Sequence, residues 1–239
     1  MLPILYRDDR VVVIDKPPGL LVHRSQVDRR ETRFAIQLLR DQIGRRVWPA
    51  HRLDRGTSGV LIFGLDPETA AFLGRQFASG EIAKTYRALV RGHPPEQLTI
   101  DHPLDRVEDP YLLGPSPSSG TQEACTRLRR LARFELDIPI DRYPTSRYAL
   151  VELLPVTGRR HQLRRHLKHI AHPIIGDATY GKGRHNRFFA EHFDCHRLLL
   201  ACTGLVWRHP DDGRGIETKT PVGDTFAATL ALLGWTHDQ

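Results

Sequence analysis

The sequence predicts an α/β protein of the α+β type, and three observations support this class. The first is a short strand, a turn at Asp8-Asp9-Arg10 and a β-branched strand within residues 4–15. The second is a helix start at Asp66-Pro67-Glu68-Thr69, where a capping aspartate precedes a proline. The third is a series of strand-like segments further along the chain, at residues 84–92, 124–136, 146–154 and 197–207.

The chain of 239 residues is long enough for one large domain or two small ones. Because no shift in composition marks a second core, we expect one domain over residues 1–239. No apolar run approaches the roughly 20 residues that a membrane span needs. The N-terminus lacks a basic region followed by an apolar stretch, which predicts no secretory signal, no membrane partner and a cytoplasmic location.

Charge and cysteine content narrow the function classes. The formal net charge of +7 comes from Arg and Lys spread along the chain, which favours a polyanionic partner, nucleic acid first and an acidic membrane second. The cysteines are odd in number and lack a CxxC spacing, so they are predicted to be reduced, buried thiols. A disulfide framework or a zinc site is not expected from Cys125, Cys195 and Cys202.

The first strands lead into a proline-rich turn and a helix. Two prolines and a glycine at residues 16–19 predict a stiff turn with Lys16 at its surface, where the functional alternative is a contact with phosphate. The apolar spacing then predicts an amphipathic helix over residues 29–43 that ends at Gly44. The arginines of this helix fit a solvated face, with an RNA backbone contact as the alternative: Arg29, Arg30, Arg33 and Arg40.

The stretch HRLDRGTSGV at residues 51–60 runs directly into an apolar strand, LIFGL, at residues 61–65. Charged loops beside a buried strand often present reactive side chains, so Asp54 is the first candidate for chemistry. The same Arg-Asp-Arg pattern also fits a solvated surface ion network, worth roughly 0 to 1 kcal/mol.

Between the two charged blocks lie a helix, a strand and a long loop. The helix that begins at Asp66 should end at Ser79-Gly80. The strand after it carries Tyr86, which we expect in the core unless it faces Asp54. Pro, Gly, Asp and Ser predict that residues 93–120 are mostly loop.

The second charged block, TGRRHQLRRHLKH at residues 157–169, predicts a loop that leads into a helix. Its histidines suggest a metal site, which we reject because no Cys, Asp or Glu shares the helical segment. No metal is therefore expected. Further on, His192 and His196 fit one helix face with a structural role, and a last helix is predicted from Asp224 to Leu233.

Five blocks together resemble the RluA-type pseudouridine synthases, in the order of that family and over nearly the whole chain. The Asp54 block, with its His-Arg-Leu-Asp and Thr-Ser-Gly, is highly specific to this family, whereas each of the other blocks is a weak signal by itself. The resemblance implies the pseudouridine synthase fold, a mixed, mainly antiparallel sheet flanked by helices and loops around a central cleft. The five blocks are KPPG at 16–19, the Asp54 stretch, the Tyr86 strand, GRRHQLR at 158–164 and HPIIGD at 172–177.

Other segments resemble the branch of this family that modifies uridine-65 in the acceptor region of tRNA: residues 21–25, 40–44, 142–145, 163–167 and 186–193. The chain starts at the first catalytic-domain strand, so no N-terminal S4 module is expected. Ala201 departs from the family, which usually has His at this position, and this departure concerns local packing more than chemistry.

The resemblance also implies roles for residues. Uridine becomes pseudouridine without redox change or net hydrolysis, so no cofactor is required. Asp54 acts as nucleophile or base on a flipped-out nucleotide, Arg164 pairs with it, and Tyr86 stacks on the base. The RNA-binding candidates are Arg52, His51, Arg55, Thr57 and Lys16. Six arginines are further candidates only by their position near the matched blocks: Arg159, Arg160, Arg165, Arg127, Arg129 and Arg130.

The expected partner is tRNA, and a monomer is the default. Three alternatives stay open at this point. One is the same reaction at another position in tRNA or ribosomal RNA, and the second is a non-catalytic RNA-binding protein on the same scaffold. The third, an aspartate-nucleophile hydrolase, lacks the second carboxylate or metal site that such chemistry usually needs.

Overall fold

A computed structural model describes residues 1–23, 31–107 and 120–235. Its helices are α1 (Ala35–Ile43), α2 (Pro67–Ser79), α3 (Gln162–His169), α4 (Gly183–Phe193) and α5 (Asp224–Leu232). Its strands are β1 (Ile4–Arg7), β2 (Val11–Lys16), β3 (Trp48–Pro49), β4 (Ser58–Gly64), β5 (Ala83–Arg91), β6 (Gln97–Asp101), β7 (Leu104–Asp105), β8 (Thr121–Gln122), β9 (Cys125–Leu136), β10 (Ser146–Pro155), β11 (Leu200–Arg208) and β12 (Gly215–Lys219).

Within these ranges, ten strands form one sheet. Its main path runs β1-β2-β4-β11-β5-β10-β9-β6, with β3 beside β4 and β12 beside β11. The pairs are antiparallel except for β4 and β11, which run parallel. The sheet is therefore mixed and mainly antiparallel, as predicted, and β7 pairs separately with β8.

The parallel contact between β4 and β11 depends on a glycine. Gly59 lies opposite Cys202 with a φ of +109°, and a Cβ atom there would lie 2.0 Å from the Cys202 carbonyl oxygen. Such a distance is far below van der Waals contact, so any side chain would separate the strands. The glycine of the Thr-Ser-Gly motif thus allows the strand that follows the Asp54 loop to lie against β11.

Apolar side chains on both faces of the sheet form the core. Strands β2 and β4 pack against α1 and α2, while β5 and β10 pack on α3 from one face and on α4 and α5 from the other. Ala201 on β11 is fully buried in the cluster that contains Phe189 and Phe226. A small residue at this position is therefore closely packed by its neighbours.

Local signals set the ends of α2 as predicted. The Asp66 carboxylate accepts a 2.7 Å hydrogen bond from the Thr69 N–H, and Pro67 occupies the first helical position. The helix ends at Gly80, whose left-handed conformation avoids the steric penalty of a side chain. Gly44 ends α1 in the same way.

The predicted start of α1 is wrong. Residues 31–34 are not helical, and Phe34 is extended because it bridges to Leu21. The first N–H groups of the helix, on Ala35 and Ile36, donate to the carbonyls of Leu21 and Val22. A tertiary contact therefore fixes this helix end, which the periodicity alone does not reveal. Arg29 and Arg30 lie outside the described residues.

Residues 93–120 contain more structure than predicted, because β6 pairs with β9 and β7 pairs with β8 across gaps in sequence. Residues 108–119 lie outside the described part. The shared helix face of His192 and His196 is also wrong, since Asp194 ends α4 in a left-handed conformation before His196.

The cysteines are free thiols, as predicted, but only Cys195 and Cys202 are buried. Cys125 is half-buried because it is the first residue of β9, at the end of the strand pairing. In the described ranges, no helix is both long and apolar enough to cross a membrane.

Candidate active site

Separate parts of the chain line a cleft of about 1090 Å³. The loop before β4 contributes Asp54, the first half of β5 contributes Lys84 and Tyr86, and the loop before α3 contributes residues 157–161. Asp177 and its neighbours form a fourth wall. The fold thus brings the three predicted catalytic residues to this one cleft: Asp54 from the loop, Tyr86 from β5 and Arg164 from α3.

The Asp54 loop is held by its backbone. The Thr57 N–H donates to the Asp54 carbonyl at 3.0 Å, and the Gly19 N–H donates to the Arg55 carbonyl at 2.8 Å. The neighbouring Leu53 side chain is buried in the core, whereas the Asp54 side chain keeps 32% of its surface exposed. The carboxylate is thus fixed by its loop and accessible from the cleft.

Lys16 is fully buried, so its predicted surface position is wrong. Its ammonium donates to the carbonyls of Leu20 at 2.8 Å, Pro17 at 3.0 Å and Arg55 at 3.3 Å. Burial lowers the pKa of Lys16 to about 7, although the negative charge of Asp54 acts to raise it. The side chain ties the proline-rich turn to the Asp54 loop and has no surface that could reach a phosphate.

Arg164 is the link between two carboxylates. Its Nη1 lies 3.3 Å from Asp54 Oδ2, while its Nε and Nη2 bind Asp177 Oδ2 and Oδ1 at 2.7 and 2.8 Å. The prediction that Asp54 lies within hydrogen-bonding reach of Arg164 is therefore confirmed. The bidentate pair with Asp177 is much the shorter, so Asp177 orients the guanidinium and Asp54 receives its remaining, weaker contact.

Asp177 itself is fully buried and also accepts the backbone N–H groups of Thr179 and Tyr180, each at 2.9 Å. Burial alone would raise the pKa of this carboxyl, but the hydrogen bonds from Arg164 and the backbone outweigh it, and the pKa is lowered. Burial acts on Arg164 in the opposite sense, yet its bonds to Asp177 raise the guanidinium pKa. Both groups are therefore held in their charged forms.

Tyr86 lies half-buried on β5, and the charge of Asp54 reaches its hydroxyl. Burial raises the Tyr86 pKa well above its ordinary value, with further contributions from Cys202 and Asp54. The phenol therefore remains protonated at neutral pH and can donate a hydrogen bond. Tyr86 and Asp54 line the same cleft, as the functional alternative for Tyr86 requires.

Lys84 lies two residues before Tyr86 on the same face of β5 and also lines the cleft. Its ammonium is half-buried, and burial lowers its pKa. In the described part of the chain, it has no acidic side chain within ion-pair distance and no hydrogen-bond acceptor. It is thus a cation available to a ligand in the cleft.

The predicted RNA-binding residues divide into two groups. Those that line the cleft are His51, Arg52, Arg55, Thr57, Arg159 and Arg160, and those that do not are Lys16 and Arg165. Arg165 instead donates to the Asp105 carbonyl at 2.9 Å. Three other arginines that are candidates by position do not line the cleft, because Arg127, Arg129 and Arg130 lie on β9, where Arg129 pairs with Glu152.

Several cleft residues already have protein partners. His51 Nε2 accepts the Ile62 N–H at 3.3 Å and its ring stacks on Phe77, while burial and the charge of Lys84 lower its pKa to about 3. Arg55 donates to the Gly19 carbonyl and pairs with Glu31 at 2.9 Å. The Thr57 side chain is buried. These contacts stabilise the cleft wall.

Asp177, His161, Tyr180 and Lys84 are site residues that the sequence reasoning missed. A signal was present for Asp177, which is the acid of the block at residues 172–177. His161 lies in the charged block beside Arg164, where the histidines suggest only a metal site. Among the residues that the structure describes, no group of three or more His, Cys, Asp or Glu side chains is arranged to hold a metal ion.

Comparisons with known proteins agree on one family. A model described as RNA pseudouridylate synthase matches residues 10–169. Proteins called tRNA pseudouridine synthase C are 44% identical in Vibrio cholerae serotype O1, 46% in Salmonella typhimurium and 48% in Vibrio vulnificus. Each match covers 98% of this chain, and 97%, 91% and 96% of the respective relative.

A solved structure has the same fold. Human RNA Pseudouridylate Synthase Domain Containing 1 superposes with a TM-score of 0.70 at 27% identity, over 92% of this chain and 83% of the human one. The fold expected from the sequence and its RluA-type resemblance are thereby confirmed. The chain belongs to the RNA pseudouridylate synthase family.

Proposed function

We propose that this protein isomerises uridine to pseudouridine in tRNA, at position 65, and that Asp54 acts on a flipped-out nucleotide. The observation that carries the proposal is the Asp54 carboxylate in an open cleft, 3.3 Å from an arginine that a buried aspartate holds in place. The names of the relatives support tRNA as the substrate. Position 65 rests on the sequence resemblance, and a cytoplasmic location rests on the relatives, whose names make them tRNA-modifying enzymes.

The reaction balances without a cofactor. The bond from C1′ to N1 breaks, a bond from C1′ to C5 forms, C5 loses its proton, and N1 gains one. Asp54 serves as the nucleophile or base, and its weak contact with Arg164 keeps the carboxylate oriented without full neutralisation. Tyr86 stacks on the base and holds it in the cleft while it turns.

Flipping the nucleotide out of a stacked helix costs a few kcal/mol, which contacts to the RNA backbone offset. Lys84, Arg159 and Arg160 are cationic residues of the cleft that suit this role. Of these, Lys84 is placed best for a phosphate, because its ammonium is half-buried and lacks an acidic partner in the described ranges. The ten-stranded sheet contains β5, with Lys84 and Tyr86, and also β4 and β10, which flank the loops of Asp54 and Arg159, and this continuity supports a single catalytic domain.

The test is release of tritium from tRNA labelled at uridine C5, since the reaction exchanges that hydrogen with water. Wild-type protein should release the label, Asp54→Asn should release none, and the exposed Asp212→Asn should serve as an active control. Release by Asp54→Asn at the wild-type rate would refute the catalytic role of Asp54. Tight tRNA binding without release by the wild type would favour a non-catalytic RNA-binding protein.

A further inference from the structure

His161 occupies a backbone position that most L-residues avoid. It precedes α3 in a left-handed conformation, with φ 54° and ψ 23°, and its side chain makes no hydrogen bond that caps the helix. This conformation costs roughly 1 to 2 kcal/mol for an L-residue, and among residues other than glycine it is enriched in Asn, Asp and His. The backbone therefore accepts a histidine here, and the contacts of the imidazole indicate what the side chain does.

The imidazole lies between a tyrosine and the Asp54 carboxylate. Nδ1 is 3.1 Å from the Tyr180 hydroxyl, and Nε2 is 3.8 Å from Asp54 Oδ2. Tyr180 is fixed in turn, because its backbone N–H donates to Asp177 and its ring lies 5.1 Å from the guanidinium carbon of Arg164. The Tyr180 hydroxyl thus holds the His161 imidazole at Nδ1, the nitrogen on the side away from Asp54.

The neighbours determine which nitrogen carries the proton. A carboxylate beside Nε2 favours a proton on that nitrogen, so Nδ1 accepts the hydrogen bond from the Tyr180 hydroxyl. Burial lowers the pKa of His161. The charges of Arg164 and Arg160 also lower it, whereas the charges of Asp54 and Asp177 act to raise it. At neutral pH the imidazole is therefore neutral, with its Nε2–H directed at Asp54.

On the basis of the proposed function, we propose that His161 is a positioning residue for Asp54, and that it acts with Arg164 on the same carboxylate oxygen. Arg164 Nη1 and His161 Nε2 both approach Oδ2. Oδ1 is then the oxygen that acts on the nucleotide. The 3.8 Å contact exceeds a hydrogen bond, and such contacts often shorten when substrate binds.

The role has a pH signature that packing alone would not produce. The charged groups around the ring are Asp54, Asp177, Arg160 and Arg164. When the imidazole gains a proton, a neutral donor becomes a cation beside Asp54 and withdraws charge from the carboxylate. The single-turnover rate should therefore fall as the pH drops through the pKa of His161, which lies below its ordinary value of 6.5.

The experiment compares His161→Asn, Tyr180→Phe and their double variant, with the exposed His192→Asn as control. Asn tolerates the left-handed backbone and removes the imidazole. The readouts are the single-turnover rate of tritium release from tRNA labelled at uridine C5, its pH profile, and the Kd for the same tRNA. Thermal melting checks that each variant is folded.

We expect His161→Asn to lower the rate by about 10²-fold, the loss typical of a misplaced reacting group, while Kd stays within about two-fold of wild type. Its profile should also lack the acid inflection of His161. Tyr180→Phe should cause a smaller loss, and the double variant should be no slower than His161→Asn, because the tyrosine acts through the histidine.

Three results would overturn the inference: a wild-type rate for His161→Asn, a loss confined to Kd, or losses of the two single variants that multiply. A wild-type protein that releases no tritium would instead refute the proposed function, and the inference with it. An active wild type with an equally active His161→Asn variant refutes the role of His161 alone.

Discussion

Replacing Asp177 by Asn should cost both stability and activity. The backbone N–H groups of Thr179 and Tyr180 bind Oδ1, so the Asn oxygen takes that position and its NH₂ group faces Arg164 Nε. The bond at Nε is lost and the bond at Nη2 loses its charge. With about 1.5 to 3 kcal/mol for a hydrogen bond to a charged group, we expect a total of about 3 kcal/mol.

For a chain of this size, that loss lowers Tm by about 6 to 12 °C. The freed guanidinium should then move towards Asp54 and lower the single-turnover rate of tritium release by about 10²-fold at a temperature where the variant is folded. Asp141→Asn is the matched control, because Asp141 accepts from Arg91 and His185 away from the cleft. It should lose stability but keep the rate.

The pH dependence of this effect has a defined sign. Since the pKa of Asp177 is lowered in the folded state, its contribution to stability is complete above the unfolded value of 3.8 and is lost as the pH falls through the folded pKa. The Tm difference between wild type and Asp177→Asn should be constant over about pH 5 to 8 and narrow below pH 4. A folded Asp177→Asn variant with the wild-type rate would refute the reasoning.

Two further variants test the cleft wall and the sheet. Lys84→Met should reduce the slope of log affinity for tRNA against log salt by about one. Lys219→Met removes a lysine that pairs with Glu217 and does not line the cleft, so it should leave the slope unchanged. Equal slopes for both variants would contradict a phosphate contact of Lys84. Gly59→Ala should lower the free energy of unfolding by about 3 kcal/mol or more, as measured by chemical unfolding. The control Gly44→Ala should lower it by about 1 kcal/mol, because Gly44 has a positive φ but open space around it. Similar values for both variants would contradict the close approach of Gly59 to Cys202.

The features that could be predicted from the sequence are those fixed by nearby residues. The start and end of α2 depend on Asp66, Pro67 and Gly80, all within one helix length, and the first hairpin depends on its own turn. By contrast, α1 begins where Leu21 and Val22 accept its first N–H groups. Strand β6 was missed for a similar reason, because its partner β9 lies beyond a loop.

In the site, too, contacts between distant residues cannot be predicted from local sequence. Asp54 and Arg164 are 110 residues apart, so only the family resemblance predicts their contact. Lys16 was misplaced because a Lys-Pro-Pro-Gly turn is usually exposed, whereas here carbonyls from two loops surround its ammonium. The block at residues 172–177 marks Asp177 as an acid of the family pattern, but its bidentate pair with Arg164 becomes evident only when the loop after α3 is seen in three dimensions.

The most direct test of the central claim is a map of pseudouridines in tRNA from cells that lack this gene, supplied with wild-type protein or with Asp54→Asn. The proposed function predicts that pseudouridine at position 65 is lost without the gene, returns with the wild type and does not return with Asp54→Asn. Pseudouridine 65 that persists without the gene, or that Asp54→Asn restores, would contradict it.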